Sequence, residues 1–206
     1  DVIGAVELLV SNHDPDAYAR AAAKFTALVE SLHALGFRVM VVTFPLVLDD
    51  LDDGDSTVQD VMNTPVHGIL WDELSFMAYS SVFSRFLSAV IGPYVVASYG
   101  KDTVAWYPDR GALDLGVFGH AGMTGGEGIT DIQAFRAQVG AARQAGLERI
   151  HAYSLDGIIQ DIPDPDLWME AIRTPAPAEP VPEVPIVDTF RSLIRLLDRL
   201  VAESRS

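Results

Sequence analysis

The run ALDLGVFGHAGMTGGEGITDIQAFRAQVGAARQAGLERIHAYS, residues 112–154, opens and closes on short apolar segments, with a helical pattern between them. The first segment, Ala112–Gly119, and the last, Glu148–Ser154, have the length and bounding residues of buried strands. Between them Thr130-Asp131 offers a helix start. Ile132, Phe135, Val139 and Ala142 then mark one face at helical spacing, and Gly146 stands where a left-handed cap closes a helix. Strand, helix and strand in succession is a βα crossover, which makes the two strands parallel.

The same unit repeats outward. Val2–Ser11, Phe37–Phe44 and Glu73–Ser80 are further strand-like runs. The five centres, near 6, 40, 76, 115 and 151, lie 34, 36, 39 and 36 residues apart. Asp14-Pro15 supplies an N-cap and a first-turn proline. The helix they open carries Tyr18, Ala22, Phe25, Leu28, Val29, Leu32 and Leu35 on one stripe, and Gly36 closes it. Further helical pieces are expected at Ser56–Met62, Val82–Ile91, Pro93–Tyr107 and Asp164–Ile172. The expected fold class is α/β, a parallel (β/α) TIM-type barrel that is incomplete at five βα units. The alternative is an open doubly wound five-stranded sheet. Residues 1–173 form the barrel-type domain. Residues 174–187 form a linker with prolines at 175, 177, 180, 182 and 185, and residues 188–206 an amphipathic C-terminal helix. That helix is expected to bury Phe190, Leu193, Ile194, Leu197, Leu200 and Val201. Arg191, Arg195, Arg199 and Glu203 are then left to solvent, with Arg199 and Glu203 paired. If the stripe stays uncovered, self-association or partner docking follows.

Composition narrows the function classes. The 206 residues carry 14 Lys plus Arg against 29 Asp plus Glu, a formal charge of −15. An acidic surface repels phosphate backbones and anionic membranes, so no nucleic-acid partner is expected. No apolar run has the length of a membrane span. There is no cysteine, hence no disulfide, thiolate metal site or cysteine nucleophile. No leader peptide is visible. If one has been removed, a secreted or cell-envelope location follows. Gly-x-Ser-x-Gly, phosphate-loop and dinucleotide motifs are absent. No lysine ends a strand, since Lys24 and Lys101 fall in helical stretches.

Three stretches together carry a family resemblance. WDELSFMAYSS (71–81) resembles the sixth strand of glycoside-hydrolase-like (β/α)8 barrels, where a Met-x-Tyr pair ends the strand at the sugar site. GALDLGVFGHAG (111–122) is similar to the seventh strand and AGLERIHAYSLDGI (145–158) to the eighth. In that alignment Val2–Asn12 is the fourth strand and Phe37–Phe44 the fifth, so residues 1–172 correspond to the last five units. The Asp-x-x-Asp-x-Asp-x-Glu run of chitinase-like barrels does not occur. The resemblance implies a carbohydrate-active, glycosidase-like protein that hydrolyses or binds a saccharide at the carboxyl ends of the strands. The alternative is a non-catalytic saccharide-binding or scaffold domain.

Glycoside hydrolysis needs two carboxyl groups flanking the scissile bond. Glu127, in a Gly-rich loop, and Asp156 stand at the correct strand ends, and Glu7 is a third catalytic candidate. Asp156-Gly157 also reads as a turn pair. Tyr79 and Tyr153 offer sugar-stacking faces with a hydroxyl, while Asn12, His13 and His120 offer hydrogen bonds to a ligand. Alternation places Glu73 with Ser75, Met77 and Tyr79, and His151 with Tyr153. A buried Glu7 or Glu73 then finds a partner in His151. Trp71, at the other end of its strand, reads as packing. His13, His120 and His151 lack zinc spacing, and the acidic stretch Asp49–Asp55 does not fit a calcium-loop frame, so no metal or cofactor is expected. That acidic stretch reads as a solvated loop.

Overall fold

Asp14 and Pro15 start the first helix as their chemistry dictates. The Asp14 carboxylate accepts from the Ala17 amide at 2.9 Å, and the fixed φ of Pro15 suits the first turn of α1 (Pro15–Ala34). The computed structural model describes residues 14–51, 55–87, 91–116, 131–160, 164–174 and 180–203, with Ser11 and Ile129. The expected strand Val2–Ser11 lies outside the described residues, Ser11 apart.

After α1 come β1 (Met40–Thr43), the short helices α2 (Val47–Asp50) and α3 (Thr57–Val61), and β2 (Glu73–Met77). Then follow α4 (Ser80–Leu87), α5 (Gly92–Trp106) and β3 (Gly111–Gly116). α6 (Ile132–Gln144), β4 (Arg149–Tyr153), α7 (Leu155–Gln160), α8 (Pro165–Arg173) and α9 (Pro185–Glu203) complete the order. The four strands form one parallel sheet in the order β1-β2-β3-β4.

Both expected glycine caps are present. Gly36 at φ +83° and Gly146 at φ +94° donate to the carbonyls of His33 and Arg143. The next amides, Phe37 and Leu147, reach back to Leu32 and Ala142. This is the six-to-one, five-to-two pairing of a Schellman end.

The chain divides into two compact units, one built from the described residues up to Leu74 together with those from Asp188 onward, the other from Ser75 to Val187. In the second unit, β3 and β4 pair in register, Ala112 with Arg149, Asp114 with His151 and Gly116 with Tyr153. Leu113 and Leu115 face the other way and are fully buried, as are Tyr99, Phe135 and Val139 of the helices. Gly100 brings α5 close: a Cβ there would stand 2.8 Å from Ala145 Cβ and 3.1 Å from Leu147 Cδ1.

The first unit departs from expectation in three places. The α1 stripe is only partly covered. Val29 is buried, but Phe25, Leu28 and Leu35 stay exposed, with Phe25 tilted against Trp71 at 6.0 Å. Trp71 packs as expected and donates from Nε1 to the Val66 carbonyl at 3.1 Å.

The acidic stretch is not a solvated loop where it is described. Asp49 and Asp50 sit in α2 at 1% and 0% exposure. Asp50 accepts from the Val58 and Gln59 amides and from Gln59 Nε2 at 2.7 Å. Its carboxylate, with those of Asp55 and Asp198, places one oxygen from each within 4.8 Å of the others. Burial pushes the Asp50 pKa up to about 6 against these three bonds.

The third departure is α9. It starts at Pro185 rather than Asp188, because proline suits a first turn, and Asp188 falls inside that turn. Its buried face includes Arg191, Asp198 and Val201, whereas Leu193 and Leu200 are exposed. Arg191 donates from Nε at 2.8 Å and Nη2 at 2.6 Å to Asp49 Oδ1, and Arg195 adds Nε at 3.3 Å. A buried carboxylate demands a cation, and that demand turns the arginine face inward. Arg199 Nε donates to the Arg195 carbonyl at 3.2 Å.

Candidate functional site

Parallel strands present their carboxyl ends on one edge, and in the second unit that edge gathers a polar group. Alternation sets Ala112, Asp114 and Gly116 on one face of β3, opposite Leu113 and Leu115. The register then puts Arg149, His151 and Tyr153 of β4 on the same face. Small neighbours at Ala112 and Gly116 leave room around Asp114.

Asp114 is 6% exposed. Tyr79, two residues past β2, donates its hydroxyl to Asp114 Oδ2 at 3.2 Å. Oδ1 is buried with no hydrogen-bond partner among the described residues. Burial raises the Asp114 carboxyl above its ordinary range, while the Tyr79 bond and the nearby His151 oppose the rise. Burial raises the Tyr79 phenol well above its usual value, and the Asp114 charge adds to it. Tyr79 therefore stays a neutral donor, and Asp114 keeps a proton to higher pH than a surface aspartate.

Tyr153 ends β4 and stacks on Tyr79, ring centroids 6.2 Å apart at 19°. It is 51% exposed, so one flat face meets solvent over a buried polar pair. Deeper in the strands, Ser75 Oγ and His151 Nδ1 share a hydrogen bond of 3.1 Å. Ser75 is thus one partner of His151, and the expected partner Glu7 lies outside the described residues.

Of the site residues expected from sequence, Tyr79 and Tyr153 are brought together. Asp156 is exposed in the first turn of α7, where Ser154 Oγ accepts from the Gly157 amide at 3.2 Å. The expected Asp-Gly turn is thus the start of a helix. Glu7, Asn12, His13, His120 and Glu127 lie outside the described residues. Asp114 is not among the residues expected from sequence, because it stands inside β3 and not at its end. Its signal was a lone carboxylate inside an apolar run, in step with small residues. No protein-family model, curated protein or solved structure matches the chain, so the site is read from its own chemistry.

Proposed function

We propose that the chain is a carbohydrate-active, glycosidase-like protein that takes a saccharide at the carboxyl ends of β2, β3 and β4. In this reading the sheet belongs to a (β/α) barrel of which five units lie in this sequence. The consecutive strand order supports a barrel over a doubly wound sheet, whose order reverses at a switch point.

The observation that carries the proposal is the half-exposed Tyr153 ring stacked on Tyr79, with Tyr79 bonded to the buried Asp114. A pyranose presents apolar C–H faces and an equatorial ring of hydroxyls. Tyr153 supplies a flat surface for the first and the Tyr79–Asp114 pair a fixed polar anchor for the second. An Asp114 that holds its proton is also suited to protonate a leaving oxygen. A hydrolase further needs a second carboxylate about 5–9.5 Å away, and Glu127 is the first choice for that role.

A saccharide-binding protein without catalysis is the second reading. It is favoured by Asp114 being the one carboxyl group in the described cluster. A glycan array followed by hydrolysis assays on the hits separates the two. Turnover that Asp114→Asn or Glu127→Gln abolishes supports the hydrolase. Binding lost in Tyr153→Ala, with no turnover in the parent, supports the binding protein. A chain that retains no glycan at all overturns both.

A further inference from the structure

We propose that His151 is a positioning residue for the Asp114 carboxyl group, held in place by Ser75 and setting the pH at which that carboxyl ionises. What this does to a ligand rests on the saccharide reading; the coupling itself does not. Asp114 and His151 are direct partners in the β3–β4 register and share one face of the sheet. Neighbouring strands lie about 4.8 Å apart, so the two side chains leave the sheet side by side. His151 comes from β4 and Ser75 from β2, with β3 between them. Their 3.1 Å bond therefore passes over β3, where Ala112 offers only a methyl group. Ser75 is fully buried. A buried hydroxyl bonded to Nδ1 fixes both the turn of the ring and its tautomer.

The other charged and titratable groups on this face, among the described residues, sit less well to act on Asp114. Tyr79 is its neutral donor, and Tyr153 stacks on Tyr79. Arg149 stands level with Ala112, and its guanidinium donates to the Asp109 carbonyl at 2.6 Å. Glu73 shares the face by alternation, at the amino end of β2. Histidine is the side chain that changes charge in the neutral range, and His151 is the one beside Asp114. An imidazolium there favours the carboxylate, whereas burial favours the neutral acid. With Asp114 ionised, the Tyr79 hydroxyl donates to a charge, the stronger kind of hydrogen bond. That bond fixes the ring on which Tyr153 stacks. His151 thereby extends the ordered form of the stacking face to lower pH.

Carbon NMR of isotope-labelled aspartate side chains, on the full chain without ligand, tests this. Asp114→Asn identifies the Asp114 carboxyl signal, which is then followed through pH in the parent, His151→Gln and Ser75→Ala. His151→Gln should move its titration midpoint up by about one pH unit or more. Ser75→Ala, which frees the ring but keeps it, should move the midpoint the same way by less. If His151→Gln does not fold, the direction of the Ser75→Ala shift decides. A midpoint that stays or falls overturns the proposal. Glycan binding across the same pH range tests the ligand consequence separately. The pH below which the best array glycan is lost should rise with the carboxyl midpoint in His151→Gln. A midpoint that moves while no glycan binds at any pH upholds the coupling and removes the saccharide reading.

Discussion

Asp114 and Asp50 are two carboxyl groups placed where ionisation is costly, and each is relieved differently. Among the described residues Asp114 has one donor, the Tyr79 hydroxyl. Tyr79→Phe removes it, which should destabilise the protein by about 1–3 kcal/mol. Chemical denaturation of the two proteins at neutral pH checks this. Asp50 has three donors and still titrates at about 6 against an ordinary 3.8. Its folded pKa lies above its unfolded one, so the folded state binds the proton more tightly. Stability from this group therefore rises as pH falls from about 6 towards 3.8, and is lost again as pH rises through that window. The change is roughly 2–3 kcal/mol. Melting temperatures of the parent and Asp50→Asn across pH 4–7 should show a slope in the first that is missing in the second. Equal slopes would assign the effect to other groups.

Helix ends and strand faces show what local sequence can tell. The caps at Asp14, Gly36, Asp131 and Gly146 are decided by residues within one turn, and all four stand as read. The shared face of Tyr79 and Tyr153 follows from period-two alternation and register. The orientation of α9 was not legible. Its leucine stripe reads as the buried face until Asp49, 142 residues away from Arg191, is known to be buried and in need of a cation. Asp114 is hard to read from sequence for a related reason: its partner Tyr79 lies just past another strand, 35 residues earlier. Two variants test packing at this scale. Arg191→Ala takes from buried Asp49 the cation that donates to it at 2.8 and 2.6 Å, and should cost about 3–5 kcal/mol by urea unfolding. An effect below about 1 kcal/mol would mean the ion pair is solvated. Gly100→Ala drives a methyl against Ala145 and Leu147 and should cost about 1–3 kcal/mol, visible as a lower melting temperature.

Taken whole, the molecule is an acidic α/β chain with a four-stranded parallel sheet. Its second unit concentrates polar groups on one face of that sheet and keeps Leu113 and Leu115 for the core on the other. This division of labour is why the carboxyl edge can host a ligand while the strands still bury a dry layer. The proposed saccharide site draws on residues between Ser75 and Val187. Calorimetric titration of the best array glycan into the parent and into Tyr153→Ala asks the central question directly. The account predicts saturable binding to the parent and a loss of about tenfold or more in the variant at unchanged melting temperature, the worth of one stacked aromatic face. Binding of equal strength to both proteins, or no binding to the parent, would contradict it.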